Sequence, residues 1–383
     1  MHVLQVTPYI SATPIFGGIP PVVRRISEGL ATAGCEVTIV TSDWGPPVEL
    51  HSVQVLRVPS ILPRLGDFLN TPLTPGMIGL DDQLPRDIDI VHLHGFWTVQ
   101  NLFGYLLSTQ RGVVYVLEPH GSLDAPLGRP VAKSVFMYLF GRRLVREAGA
   151  HIALESKEAA AFRRFGIPAE RIWNIPNPIG SHEEITAVQQ DQSRTIQSNP
   201  GLGTVGFLGR LHPNKRVDLL ICALARLKAE GHKIACLIAG PDEGNQDSLR
   251  SLVATFGLQD SVRFLGVLTE PAKDEFMRSV DALVVPAATG FPVTILEALN
   301  RGIPTVVTSL AVSSGDMARS ALCVTEDSAE GLSEGILRVL QDEEFRGRLQ
   351  KQGYNLVSTR HTTEAVIRAL ISMYTAVIHS ASK

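Results

Sequence analysis

Three short segments of this 383-residue chain carry residue types that could do chemistry on an anion. In the first, Phe16-Gly17-Gly18-Ile19-Pro20 stands between a β-like run and a helical one. Paired glycines let backbone approach a ligand closely, and a helix start offers unpaired N–H groups. The same glycines also suit a plain tight turn. The pattern is not Gly-x-Gly-x-x-Gly, so nicotinamide binding is not indicated. In the second, Gly209-Arg210 ends a β-run and Lys215 comes just before a helix. Two cations there could clamp a diphosphate, or they could be solvated surface charges. In the third, Pro286 to Pro292 leads into Val293-Thr294-Ile295-Leu296-Glu297-Ala298-Leu299. A carboxylate in such apolar company needs a partner. Glu297 would either form a salt bridge or accept hydroxyl hydrogen bonds from a ribose.

These segments need strands that end beside one another. In the first half, β-like runs at 2–7, 37–41, 53–58, 88–92, 112–117, 150–154 and 172–175 alternate with helical runs, among them 22–33, 98–107, 133–146 and 157–165. A polar Gln/Ser-rich stretch follows. The pattern then restarts with β-like runs at 204–208, 234–239, 262–265, 282–285, 305–307 and 321–324, and a last helix is expected over 361–380. Apolar strands separated by helices predict parallel sheets covered on both faces. The expected fold is therefore α/β: two Rossmann-like doubly wound domains over 1–180 and 204–357, a linker over 181–203, and a C-terminal segment over 358–383. Ligands of such sheets bind beyond the C-terminal strand ends, so two domains would offer a cleft for two substrates.

Composition narrows the partners. Hydrophobic residues make up 44% and charged ones 19%, enough for sizeable cores. With 35 basic and 38 acidic residues and a net charge of −3, nothing suggests a nucleic-acid partner. Cys35, Cys222, Cys236 and Cys323 are scattered, which fits neither a disulfide framework nor a zinc site. No apolar run approaches the ~20 residues of a membrane span, and the start does not read as a signal peptide. A cytoplasmic protein is expected.

The three segments, taken with Val91-His92-Leu93-His94-Gly95, Pro119-His120-Gly121-Ser122-Leu123, Ile175-Pro176-Asn177-Pro178, Ala239-Gly240-Pro241 and Phe264-Leu265-Gly266, occur in an order that resembles the retaining glycosyltransferases of family four, of GT-B fold. The resemblance covers essentially the whole chain. It implies transfer of a sugar from a nucleotide-diphospho-sugar to a hydroxyl acceptor, such as a glycan or lipid-linked saccharide in polysaccharide biosynthesis. It implies that Arg210 and Lys215 hold the diphosphate and Glu297 the ribose. Gly240, Gly266 and Val267 would line the base pocket, and Gly17 and Gly18 would close over the phosphates. Gly290, Phe291, Pro292 and Val293 would place the sugar and β-phosphate. His120 would approach the reacting face, with His92, His94 and Trp97 on the acceptor side. The two strand histidines read equally as hydrogen-bonded structural groups. Tyr354, Asn355 and the final helix would pack back onto the N-terminal domain.

The family carries a pair of glutamates in the third segment. Here the second is Glu297 and the first position is Thr289, which keeps a hydroxyl but loses the charge. Arg216 stands where glycine commonly follows the lysine, and on a helix that would matter little. No catalytic metal and no cofactor are expected: Asp87-Ile88-Asp89 has a metal-motif spacing but precedes its strand. The alternatives are a non-catalytic sugar-nucleotide-binding subunit, which Thr289 motivates, and another enzyme of this fold, such as an epimerase. The run 133–146 mixes aromatic and basic residues. It suits a peripheral membrane contact or an ordinary core helix with solvated basic residues.

Overall fold

The computed structural model describes residues 1–11, 18–64, 66, 71–123, 130–180, 201–287, 292–312 and 320–381. It holds two parallel sheets. The first has seven strands in the order β3-β2-β1-β4-β5-β6-β7. They are β1 His2–Val6, β2 Glu36–Ser42, β3 Gln54–Val58, β4 Ile90–His94, β5 Tyr115–Glu118, β6 Ala150–Ala153 and β7 Ile172–Asn174. The second has six strands in the order β10-β9-β8-β11-β12-β13. They are β8 Gly203–Leu208, β9 Ile234–Ala239, β10 Val262–Gly266, β11 Ala282–Val285, β12 Thr305–Thr308 and β13 Cys323–Thr325. Each sheet reverses its strand order beside its first strand, at β1/β4 and at β8/β11, and such a switch point is where this fold class binds ligands. Central strands such as β1 and β4 are buried at every residue, as a sheet covered on both faces requires.

The chain divides into two compact units, residues 1–178 with 363–383, and residues 179–362. The last helix, Thr363–Ala381, belongs to the first unit and packs on the helix Ile19–Thr32. A Cβ at Gly29 would come within 2.7 Å of Ile367, so glycine sets that close approach. Tyr354 and Asn355 lie elsewhere than expected. Both sit on the helix Glu343–Arg360 of the second unit, where Tyr354 packs on the core cluster containing Leu299. The polar linker lies outside the described residues from 181 to 200.

Several element limits differ for local reasons. The first helix begins at Ile19, three residues before the expected start, because prolines suit a first helical turn. The run 112–117 becomes a strand only at Tyr115, since Gly112, at φ 67°, ends the preceding helix. The run 133–146 starts at Pro130 and is interrupted by a π turn, Met137–Gly141, before continuing as Arg142–Arg146.

Candidate functional site

In the second unit the C-terminal ends of β8, β9 and β10 meet through their glycines. Gly209 N donates to Ala239 O at 3.0 Å, and Gly240 N donates to Gly266 O at 2.8 Å. Gly240 has φ 141°, and a Cβ there would overlap the Gly209 carbonyl oxygen. Only glycine permits this approach. Gly266, at φ 70°, turns the chain away from β10, and Val267 follows half exposed.

Arg210 leaves β8 at this edge. Its Nη1 contacts both carboxylate oxygens of Glu243, at 2.6 and 2.9 Å. His212 accepts the Asn214 amide through Nδ1 at 3.2 Å, which shapes the short turn carrying Lys215. Burial lowers the Lys215 pKa to about 8, with Arg210 adding to the fall and Glu243 opposing it. Arg210 is thus paired with Glu243 at a partly exposed edge, and the more buried Lys215 feels both charges, which leaves positive charge for an anion to neutralise.

Arg216 is not on the helix. It has φ 52°, in the left-handed region, and caps Val217–Ala229. That conformation explains why glycine suits the position. Here Arg216 pairs with Asp327 at 3.1 Å and Asp218 at 3.8 Å.

Glu297 lies on the helix Val293–Asn300 and accepts Lys273 Nζ at 2.5 Å. The salt bridge is therefore present. An ionised carboxylate has about four acceptor sites, so one lysine does not exhaust it. Pro292 precedes the helix in extended geometry, and Val293 opens it. Thr289, Gly290 and Phe291, like Gly17, lie outside the described residues, while Gly18 is the N-cap of Ile19–Thr32.

In the first unit the expected acceptor-side histidines are not beyond the strand. His92 and His94 are the third and last residues of β4, and both are 0% exposed. Their alternation puts them on one face of the sheet, beside Glu118 at the end of β5. The Tyr374 hydroxyl lies 2.7 Å from His92 Nδ1. Burial pushes the Tyr374 pKa well above its usual range, so the phenol keeps its proton and is able to donate it to His92 Nδ1. His92 Nε2 faces Glu118 Oε2 at 3.1 Å, a close contact without hydrogen-bond geometry. His94 contacts Gln5 Oε1 through Nε2 and His120 Nε2 through Nδ1, each at 3.0 Å.

Burial, with His92 and His120, holds the His94 pKa well below the usual imidazole range. Burial also lowers His120, with Glu118 opposing. Burial pushes Glu118 up, but the contacts from His120 and His92 outweigh it and leave its pKa below the ordinary carboxylate value. The cluster thus sets one buried carboxylate against His94 and His120, whose charged forms burial disfavours. Ligand atoms of His92, His94 and Glu118 lie within 4.8 Å of one another, as do those of His2, Glu36 and Asp87. A divalent ion could bridge such spacings. In the first group the imidazoles already have partners in Tyr374, Gln5 and His120. The second group stands at the opposite, N-terminal ends of the strands, where Asp89 accepts His2 N at 2.7 Å.

His120 sits in the turn Pro119–Ser122, closed by Ser122 N to Pro119 O at 3.1 Å. His120 and Gly121 have φ 54° and 75°, the paired positive values of a primed turn. Glu158 holds it, accepting Gly121 N at 2.7 Å and Leu154 N at 3.0 Å. Burial raises the Glu158 pKa to about 7. Trp97 joins the turn by donating Nε1–H to Ser122 O at 2.7 Å.

Glu118, Glu158, Tyr374, Glu243 and Lys273 escape sequence reasoning. Only Glu118, beside the Pro-His-Gly segment, carries a local signal. The rest lie 24 residues or more along the chain from Glu297, Arg210, Gly121 and His92, the site residues they hold.

Two family models match the chain: a glycosyl transferase 4-like domain over residues 17–178 and glycosyl transferases group 1 over residues 188–356. A phosphatidyl-myo-inositol mannosyltransferase of Mycobacterium leprae is 24% identical over 100% of this chain and 99% of its own. The fold is similar to that of HepE from Anabaena, solved with UDP and glucose, at TM-score 0.73 and 18% identity over 98% of this chain and 100% of that one. It is also similar to sucrose-phosphate synthase of Thermosynechococcus elongatus, at TM-score 0.78 and 18% identity over 99% and 100%. With both sheets and both matched regions in the order that the GT-B fold requires, the chain belongs to the family of glycosyl transferases group 1 and is a glycosyltransferase.

Proposed function

We propose that the chain transfers a sugar from a nucleotide-diphospho-sugar to a hydroxyl of a glycan or lipid-linked acceptor, with retention at the anomeric carbon and without a catalytic metal or cofactor. The observation that carries this reading is the shared charge of Arg210 and Lys215 around Glu243, at the meeting strand ends of the second unit. A diphosphate would relieve the cost of keeping Lys215 charged there. The UDP and glucose bound in HepE are of the same chemical class.

In the proposed step the acceptor oxygen bonds to the anomeric carbon as the carbon–oxygen bond to the diphosphate breaks. The acceptor proton passes to the departing phosphate oxygen on the same face. Arg210 and Lys215 stabilise the charge that develops there, the role a metal ion would otherwise fill. Glu297 accepts the ribose hydroxyls while keeping Lys273, Gly240 and Gly266 border the base, and Gly18, Gly290, Phe291 and Val293 contribute amides. His120, fixed by its turn, meets the sugar, and Trp97 borders the acceptor. His92 and His94 act from within the sheet by holding Glu118 and His120. The cytoplasm, which supplies nucleotide sugars, is the proposed location.

Thermal shift and hydrolysis across uridine-, guanosine- and adenosine-diphosphate sugars test the reading. One base should stabilise the protein by mass action, and Arg210→Ala should remove both the shift and the turnover. Full turnover in Arg210→Ala and Lys215→Ala would overturn the assignment. Binding without turnover on any donor or acceptor would instead favour a non-catalytic subunit.

A further inference from the structure

The helical stretch that begins at Pro130 presents an apolar face to solvent. Tyr138 is 81% exposed, Val135 and Leu139 are each 51% exposed, and Phe140 is 40% exposed. Val135, Tyr138 and Leu139 follow helical spacing and form one stripe. The π turn Met137–Gly141 then spreads consecutive residues over a narrower arc than an α-helix would, so three hydrophobic residues in a row stay outside. Apolar side chains gathered this way mark an interaction surface.

Basic residues adjoin the stripe. Arg142 and Arg143 are exposed on the next turn. The acid that follows, Glu147, is engaged by the Tyr105 hydroxyl at 2.7 Å. Aromatic residues beside exposed arginines match the two layers of an anionic membrane surface, acyl chains below and phosphates above. The inner side of the same helix reaches the acceptor-side residues. The Phe136 ring lies 5.8 Å from Phe96 and 5.6 Å from Trp97, and Trp97 is bonded to the His120 turn.

We propose that this face docks the protein on an anionic lipid bilayer and so brings a lipid-linked acceptor to the His120 turn. The inference rests on the glycosyl-transfer reading for its acceptor, but docking can be measured without catalysis.

Cosedimentation with vesicles of phosphatidylglycerol and phosphatidylcholine, against phosphatidylcholine alone, tests it. The native protein should pellet with the anionic vesicles only. Arg142→Ser with Arg143→Ser should weaken binding about 25-fold, or about fivefold per charge, from ~1 kcal/mol for each basic residue near a surface. Tyr138→Ser with Leu139→Ser should abolish pelleting, while both double variants hydrolyse the donor in solution like the native protein. Native protein that stays in the supernatant, or variants that pellet equally well, would overturn docking. So would a native dimer that Tyr138→Ser with Leu139→Ser dissociates, since the face would then cover a second copy. Anionic-vesicle binding by a native protein that hydrolyses no donor would leave docking standing and count against the transfer reading alone.

Discussion

Replacing Lys215 by methionine should strengthen the empty protein while disabling it. Burial, aided by Arg210, lowers the Lys215 pKa from an ordinary 10.5 to about 8. At ~1.4 kcal/mol per pH unit, that difference means the charged side chain costs the folded state roughly 3 kcal/mol at neutral pH. Methionine keeps most of the aliphatic stem and carries no charge. Allowing for imperfect packing, the variant should gain about 1–3 kcal/mol, or about 2–12 °C in melting temperature at ~2–4 °C per kcal/mol for a unit of this size. The gain has a pH signature. Between about 8 and 10.5 the unfolded chain keeps the lysine proton and the folded chain does not, so native stability rises through that window. The difference between variant and native should therefore be full below pH 8 and vanish above 10.5. Calorimetry across this range, with and without a nucleoside diphosphate, reads both effects. The ligand should raise the native melting temperature and leave the variant unmoved. A variant less stable than native at pH 7, or one with an unchanged ligand shift, would refute the charge argument.

The other expectations concern single groups. Glu158 carries a carboxyl pKa raised to about 7 from an ordinary 4.5, so its favourable contribution is full below 4.5 and lost as pH rises through 7. Urea unfolding should show Glu158→Gln gaining roughly 3 kcal/mol on native between those limits, and a constant difference would contradict this. Glu118→Gln removes the charge that His92 and His120 face, and should lower stability by ~2 kcal/mol with a lower urea midpoint. In Arg216→Gly, relief of a left-handed backbone offsets the lost Asp327 pair, so stability should change by less than ~1 kcal/mol. Arg216→Val loses the pair and keeps the strain, and should cost ~2 kcal/mol. Gly240→Ala should cost ~3 kcal/mol or more, because its Cβ meets the Gly209 carbonyl, with loss of nucleotide binding in the same sample.

The strands of both sheets were legible because a parallel sheet buried on both faces writes itself as apolar runs. Helix limits were less so, since Pro20 and Pro21 hide a helix start and Gly112 hides a helix end. Arg210, Lys215 and Glu297 were legible as residue types at strand and helix ends. Their partners, Glu243 and Lys273, were not, because those contacts depend on which strand ends lie together. His92 and His94 show the opposite failure. Their polarity suggested a strand that had ended, whereas Glu118 and Tyr374 let polar rings stay inside β4. Tyr374 comes from a helix 282 residues along the chain from His92, and no local pattern encodes such a contact. Arg216 looked harmless on a helix because only the backbone reveals its positive φ.

The most direct test of metal-independent transfer with retention is proton NMR of the sugar first released from an α-linked nucleotide-diphospho-sugar, recorded before mutarotation and with excess chelator present. The account predicts steady release of the α-anomer. Release of the β-anomer, or activity lost to the chelator and restored by magnesium, would contradict it.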